Sequence, residues 1–130
     1  MKSLFAALAL TPLLIATGAH AQTVSEDVSK QLWCGTAFVI FFGEMKPEDV
    51  SDADAKAYVD SANALLEVAV QGYLDAGFTQ EQIDKLREEL APKVRTEITT
   101  GPAQYAPEDC IAIMPEPETP DTSTSSSSAM

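Results

Sequence analysis

Leu4 to Ala16 is almost wholly apolar and shows no period. Apolar residues then return at helical spacing, with Val24, Val28 and Leu32 on one face. From Trp33 to Phe42 the chain is apolar nearly throughout. Thr23 with Glu26 three residues later is a capping-box pattern, so a helix is expected to start there. A helix that is apolar on every side belongs in the centre of a fold. Phe38 to Phe42 is aromatic and β-branched and would also suit a strand. The upstream cap and spacing favour a helix. Gly43 is a natural stop, and Glu44 to Val50, which contains Pro47, reads as a loop.

Ser51 with Asp54 predicts a second helix, with Asp52 in its first turn. Its apolar stripe runs through Ala55, Tyr58, Ala62, Leu65, Leu66, Ala69, Tyr73 and Leu74, near a period of 3.6. Gly77 ends it, and Phe78 could close the apolar contact of a Schellman cap. Thr79 with Gln82 is a further capping box, and Ile83, Leu86, Leu90, Val94 and Ile98 form the third stripe. Pro92 lies inside that stripe, so a kink or break is expected between Glu88 and Pro92. Gly101-Pro102 is a stop. Pro107-Glu108-Asp109 resembles the first turn of a short last helix carrying Cys110, Ile111, Ile113 and Met114. The expected fold is therefore all-α: a small bundle of three main helices plus a short C-terminal helix.

Lys2, the apolar run and Ala19-His20-Ala21 together have the form of a secretory signal peptide. Cleavage is expected after Ala21. This divides the chain into a leader (1–21), a helical domain (22–114) and an acidic, Ser/Thr-rich tail (115–130) that is too polar to order itself. The apolar run is short for a span of about 20 residues, so stable membrane insertion is not expected once the leader is removed. The expected location is the periplasm or the extracellular space. Cleavage leaves all 20 acids and 7 of the 8 bases, a formal charge of −13. Such a charge repels phosphate backbones and anionic headgroups, which argues against nucleic acid, and a protein with a basic surface is the partner it suits.

Export also bears on the two cysteines, Cys34 and Cys110, since an even pair in an oxidising compartment usually forms a disulfide. Their spacing is not that of a Cys-x-x-Cys redox pair. A bridge would tie the brief last helix, marginal on its own, to the central first one.

Chemistry beyond this is sparse. Without His20 the mature chain has no histidine, which removes Ser-His and Cys-His pairs and histidine-based zinc or haem sites. There is no phosphate loop and no Gly-x-Ser-x-Gly elbow. Glu48, Asp49, Asp52 and Asp54 raise the question of calcium, but Lys56 stands where a third oxygen ligand belongs, and acids at a helix N-terminus suit the dipole. Glu88-Glu89, Asp60 and Glu67 fall on predicted polar faces beside Lys85 and Arg87. No catalytic residue, metal ligand or cofactor is assigned. The aromatics Trp33, Phe38, Phe41, Phe42, Tyr58 and Tyr73 read as core, the alternative being that part of Phe38 to Phe42 is a binding surface for apolar chains.

A leader, a domain near 100 residues, Trp33-Cys34 early in the first helix and Asp109-Cys110-Ile111 in a late one resemble small periplasmic helical proteins of Gram-negative bacteria. The acid-stress chaperones of the HdeA type share this outline, over about Leu32 to Met114. That resemblance would imply a holdase that opens at low pH. Three functions follow as expectations: a non-catalytic binding or accessory module of the cell envelope, an acid-stress holdase, or a carboxylate-only enzyme or ligand-binding protein. On export in a bacterial host, intact-mass measurement should find a chain beginning at Gln22. A chain that keeps Met1 to Ala21 would refute the leader.

Overall fold

The computed structural model describes residues 22–116, so the expected leader and the tail beyond Glu116 lie outside the described residues. Four helices run in chain order: α1 (Glu26–Phe38), α2 (Asp52–Asp75), α3 (Gln80–Thr100) and α4 (Pro107–Ile113). No strand occurs among the described residues.

Ser25, not Thr23, opens α1. It takes an extended backbone conformation, and its side chain accepts from the Val28 amide. Glu26 therefore becomes the first helical residue instead of the third, and with Asp27 it sits at the positive end of the dipole. At the far end Gly43 does not stop the helix. Val39–Met45 continues from α1 as a π-helical stretch, and the chain turns away only at Lys46, where φ is 23°. Phe38 to Phe42 is thus helical throughout, with a wider turn than an α-helix provides.

The second and third helices follow their caps closely. Ser51 accepts from the Asp54 amide. At the end of α2 the Phe78 amide donates to the Tyr73 carbonyl and the Gly77 amide to that of Leu74, with Gly77 at φ 93°. That is a Schellman motif, closed by the rings of Tyr73 and Phe78 at 5.1 Å. Thr79 and Gln82 form both bonds of the capping box. Pro92 does not break α3, which is continuous from Gln80 to Thr100. Pro92 and Glu88 are both exposed, so the carbonyl that loses its amide donor lies on the solvent side, where water can serve it. Pro107 takes the first position of α4, with Glu108 and Asp109 behind it.

The core is organised around α1, which touches each of the other three helices, whereas α2 and α3 meet only marginally. Leu32 to Ala37 is buried without interruption. One cluster holds Trp33, Cys34, Ile40, Leu65, Val94 and Cys110. A second holds Leu32, Leu66, Ala69, Tyr73 and Ile83, and Leu90 packs against both. Tyr58 and Leu74, expected in the buried stripe of α2, are 40% and 38% exposed. Tyr58 stacks instead on Phe42 of the π-helical stretch.

Small residues let α1 and α2 approach. A Cβ on Gly35 would stand 2.7 Å from Leu66 Cγ and 3.2 Å from the Ala62 carbonyl oxygen. One on Gly72 would stand 2.7 Å from Val28 Cγ2. The disulfide fixes the remaining contact. Cys34 and Cys110 are bonded with Cα atoms 5.3 Å apart, and both are fully buried. It links α4, only seven residues long, to the centre of the bundle.

Two outcomes are expected. Reducing the disulfide, which spans 76 residues of sequence, should lower stability by about 4 kcal/mol in urea unfolding, and should brighten Trp33 emission by removing a neighbouring quencher. Unchanged unfolding and emission would contradict the anchoring role. Gly35→Ala should cost about 1–3 kcal/mol through overpacking. A neutral result would mean that Leu66 yields freely.

Candidate functional site

The two cysteines mark the place where α1 and α4 meet, and an aromatic cavity of about 490 Å³ opens beside them. Six parts of the chain build it, α3 among them. From α1, Trp33 and Phe38 line the inner wall. The π-helical stretch adds Phe41 and Phe42, and α2 adds Tyr58. The corner between α3 and α4 contributes Tyr105, and α4 itself contributes Pro107, Cys110 and Ile111.

The aromatic contacts are specific. Phe42 stacks on Tyr58 with centroids 4.4 Å apart and planes 17° from parallel. Phe41 meets Phe42 edge-on at 5.0 Å, and Phe38 lies 5.5 Å from Phe42. Trp33 and Tyr105 form an edge contact at 5.5 Å. These separations fall in the range where aromatic pairs attract beyond simple burial. The rim is nevertheless open: Phe41 is 39% exposed and Ile111 61%.

Among the described residues one charged side chain lines the cavity, that of Glu97 on α3. Its Oε2 accepts from Trp33 Nε1 at 3.0 Å and from the Gln104 amide at 3.1 Å. A single carboxylate oxygen therefore ties α1, α3 and the α3–α4 corner together. Lys93 Nζ lies 3.7 Å from Glu97 Oε1, and that lysine side chain is mostly solvated. Lys30 Nζ sits 5.8 Å from the Tyr105 ring centroid, within cation–π range.

The residues singled out in the sequence are distributed as follows. Cys34 and Cys110 are brought together. The aromatics divide: Trp33 is 3% exposed and Tyr73 is buried in the core, whereas Phe41 and Tyr58 are on the cavity rim. Asp52 and Asp54 do not converge on a common point. Asp54 accepts from the Ser51 hydroxyl. Asp52 is ion-paired with Lys46, whose hydrogen bond and then whose charge hold the Asp52 carboxyl below the usual carboxylate range. Among the described residues no group of three or more His, Cys, Asp or Glu side chains is arranged to hold a metal. Asp60 pairs with Lys56 one helical turn away, and Glu67, Glu88 and Glu89 are on solvated faces. No helix among the described residues is long and apolar enough to cross a membrane.

Glu97 and Tyr105 carry no functional signal in the sequence. Glu97 adjoins the apolar stripe beside Ile98, but its partner Trp33 is 64 residues away. Tyr105 falls in a short connection that carries no period. Comparison with known protein families, with curated proteins and with solved structures gives no match.

Proposed function

We propose that the chain is an exported, non-catalytic binding protein of the cell envelope, and that the aromatic cavity is its binding site. The observation that carries this reading is the open aromatic rim over a fixed interior. Phe41, Tyr58 and Ile111 remain exposed around a cavity whose inner wall is Trp33, held by Glu97, next to a buried disulfide. Ligand sites in proteins typically enclose about 300–1,000 Å³, are mainly apolar and carry few polar groups. This cavity has that volume and, among the described residues, a single charged one. General acid–base catalysis needs a group free to take a proton at a reacting atom. Glu97 is instead engaged in holding Trp33 and Gln104, which supports binding over chemistry. The apolar occupant could be a small molecule or an apolar side chain of a basic partner protein, in keeping with the strong negative charge.

Titration with the neutral fluorophore N-phenyl-1-naphthylamine at neutral pH tests the site. Saturable one-to-one binding with a change in Trp33 emission is expected. Phe41→Ala should weaken binding by about tenfold, the cost of losing one buried aromatic contact. Val68→Ala, exposed on α2 away from the cavity lining, should leave it unchanged. Absence of saturable binding would overturn the reading. Binding that appears only below about pH 4, where carboxylates protonate, would replace it with the acid-stress holdase.

A further inference from the structure

Given that the aromatic cavity is the binding site proposed above, we propose that its occupant is a hydrophobic organic cation, an amine or quaternary ammonium group on an aryl or alkyl body. Three features of the cavity converge on this class.

The first is the sign of its charge. Glu97 is the one charged residue in the lining among the described residues, and it is an acid. Its side chain is 18% exposed, so its charge is largely removed from water. The hydrogen bonds from Trp33 and Gln104 satisfy one oxygen but supply no positive charge. Among the described residues the one cation within 4 Å of Glu97 is Lys93, 60% exposed at 3.7 Å, a geometry in which ion pairs contribute little. A carboxylate largely withdrawn from water is only weakly compensated by a solvated ammonium at that distance. A ligand ammonium group would provide a counter-ion inside the cavity, while an anionic ligand would meet repulsion from Glu97 and from the formal charge of −12.

The second is the chemistry of the walls. Trp33, Phe38, Phe42, Tyr58 and Tyr105 present aromatic rings around the same space. Ring faces carry a negative quadrupole that attracts ammonium groups, and the attraction grows when the site is partly dry. Lys30 already occupies this relationship with Tyr105 at 5.8 Å, although Lys30 is not itself part of the lining.

The third is the opening. Phe41, Tyr58 and Ile111 leave an apolar rim that accommodates an uncharged body while the charged head faces Glu97. A small hydrated inorganic cation would leave these apolar surfaces unused.

The test uses three soluble ligands with one body and different heads: 4-phenylbutan-1-amine, 4-phenylbutan-1-ol and 4-phenylbutanoate. Each is titrated into the oxidised mature chain at neutral pH, with calorimetry and Trp33 fluorescence as readouts. The amine is expected to bind about tenfold more tightly than the alcohol, and the acid more weakly than either. Glu97→Gln keeps an acceptor for Trp33 and Gln104 but removes the charge. It should bring the amine and alcohol affinities together while leaving the alcohol's unchanged. Raising the salt to about 0.5 M screens the solvated surface charges but not a pairing inside the cavity, so the preference for the amine should persist. This second measurement decides the matter even if Glu97→Gln does not fold. Equal binding of amine and alcohol, a preference that survives Glu97→Gln, or one abolished by salt would each overturn the cation proposal and leave the binding site standing. Failure of all three ligands to bind would remove the site itself, and the proposal with it.

Discussion

The Cys34–Cys110 bond is the constraint on which the aromatic cavity depends. A seven-residue helix has too few internal hydrogen bonds to persist alone in water. Among the described residues α4 makes its main contacts with α1, and Cys110 is the one residue of α4 that is fully buried. The covalent link therefore reinforces an apolar contact that Ile113, only partly buried, makes with the same core cluster. Pro107, Cys110 and Ile111 all line the cavity, so the same bond supplies one of its walls. In a domain of this size, stability and site geometry are hard to separate.

A second constraint acts on the other side of α1. Gly35 and Gly72 let the first two helices come closer than larger side chains would permit, against Leu66 and Val28 respectively. Close approach turns α1 into a shared centre with α2 on one flank and α3 and α4 on others. Two apolar clusters result, joined through Leu90. Because α2 and α3 barely meet, the bundle is held together by what each helix makes with α1.

Much of this was legible from local residues. Ser51, Thr79-Gln82, Gly77-Phe78 and Pro107 each act within a few positions of themselves, so spacing alone identifies them. The cysteine pair was legible because only one pairing exists. What escaped was decided at a distance or by competition. Thr23 reads as the cap from its spacing to Glu26, yet Ser25, two residues further on, takes that place. Pro92 reads as a break until its solvent-facing position is known. Tyr58 fits the period of the buried stripe, yet it lies against the π-helical stretch, where it stacks on Phe42. The link from Glu97 to Trp33 and Gln104 joins three parts of the chain that share no pattern. The core was therefore readable as a set of faces, while the site, built from the edges of those faces, was not.

The π-helical stretch Val39–Met45 makes the aromatic rim a matter of residue count as well as residue type. A π turn accommodates about one residue more than the α turn it replaces, and each residue advances a helix by about 100°. Phe41 and Phe42 face the cavity in the register set by that extra residue. Lengthening or shortening this segment by one position would swing both rings around the helix axis without altering a single side chain. The aperture of the cavity is in this sense set by an indel-sensitive dial, and composition alone would give no warning that it had turned.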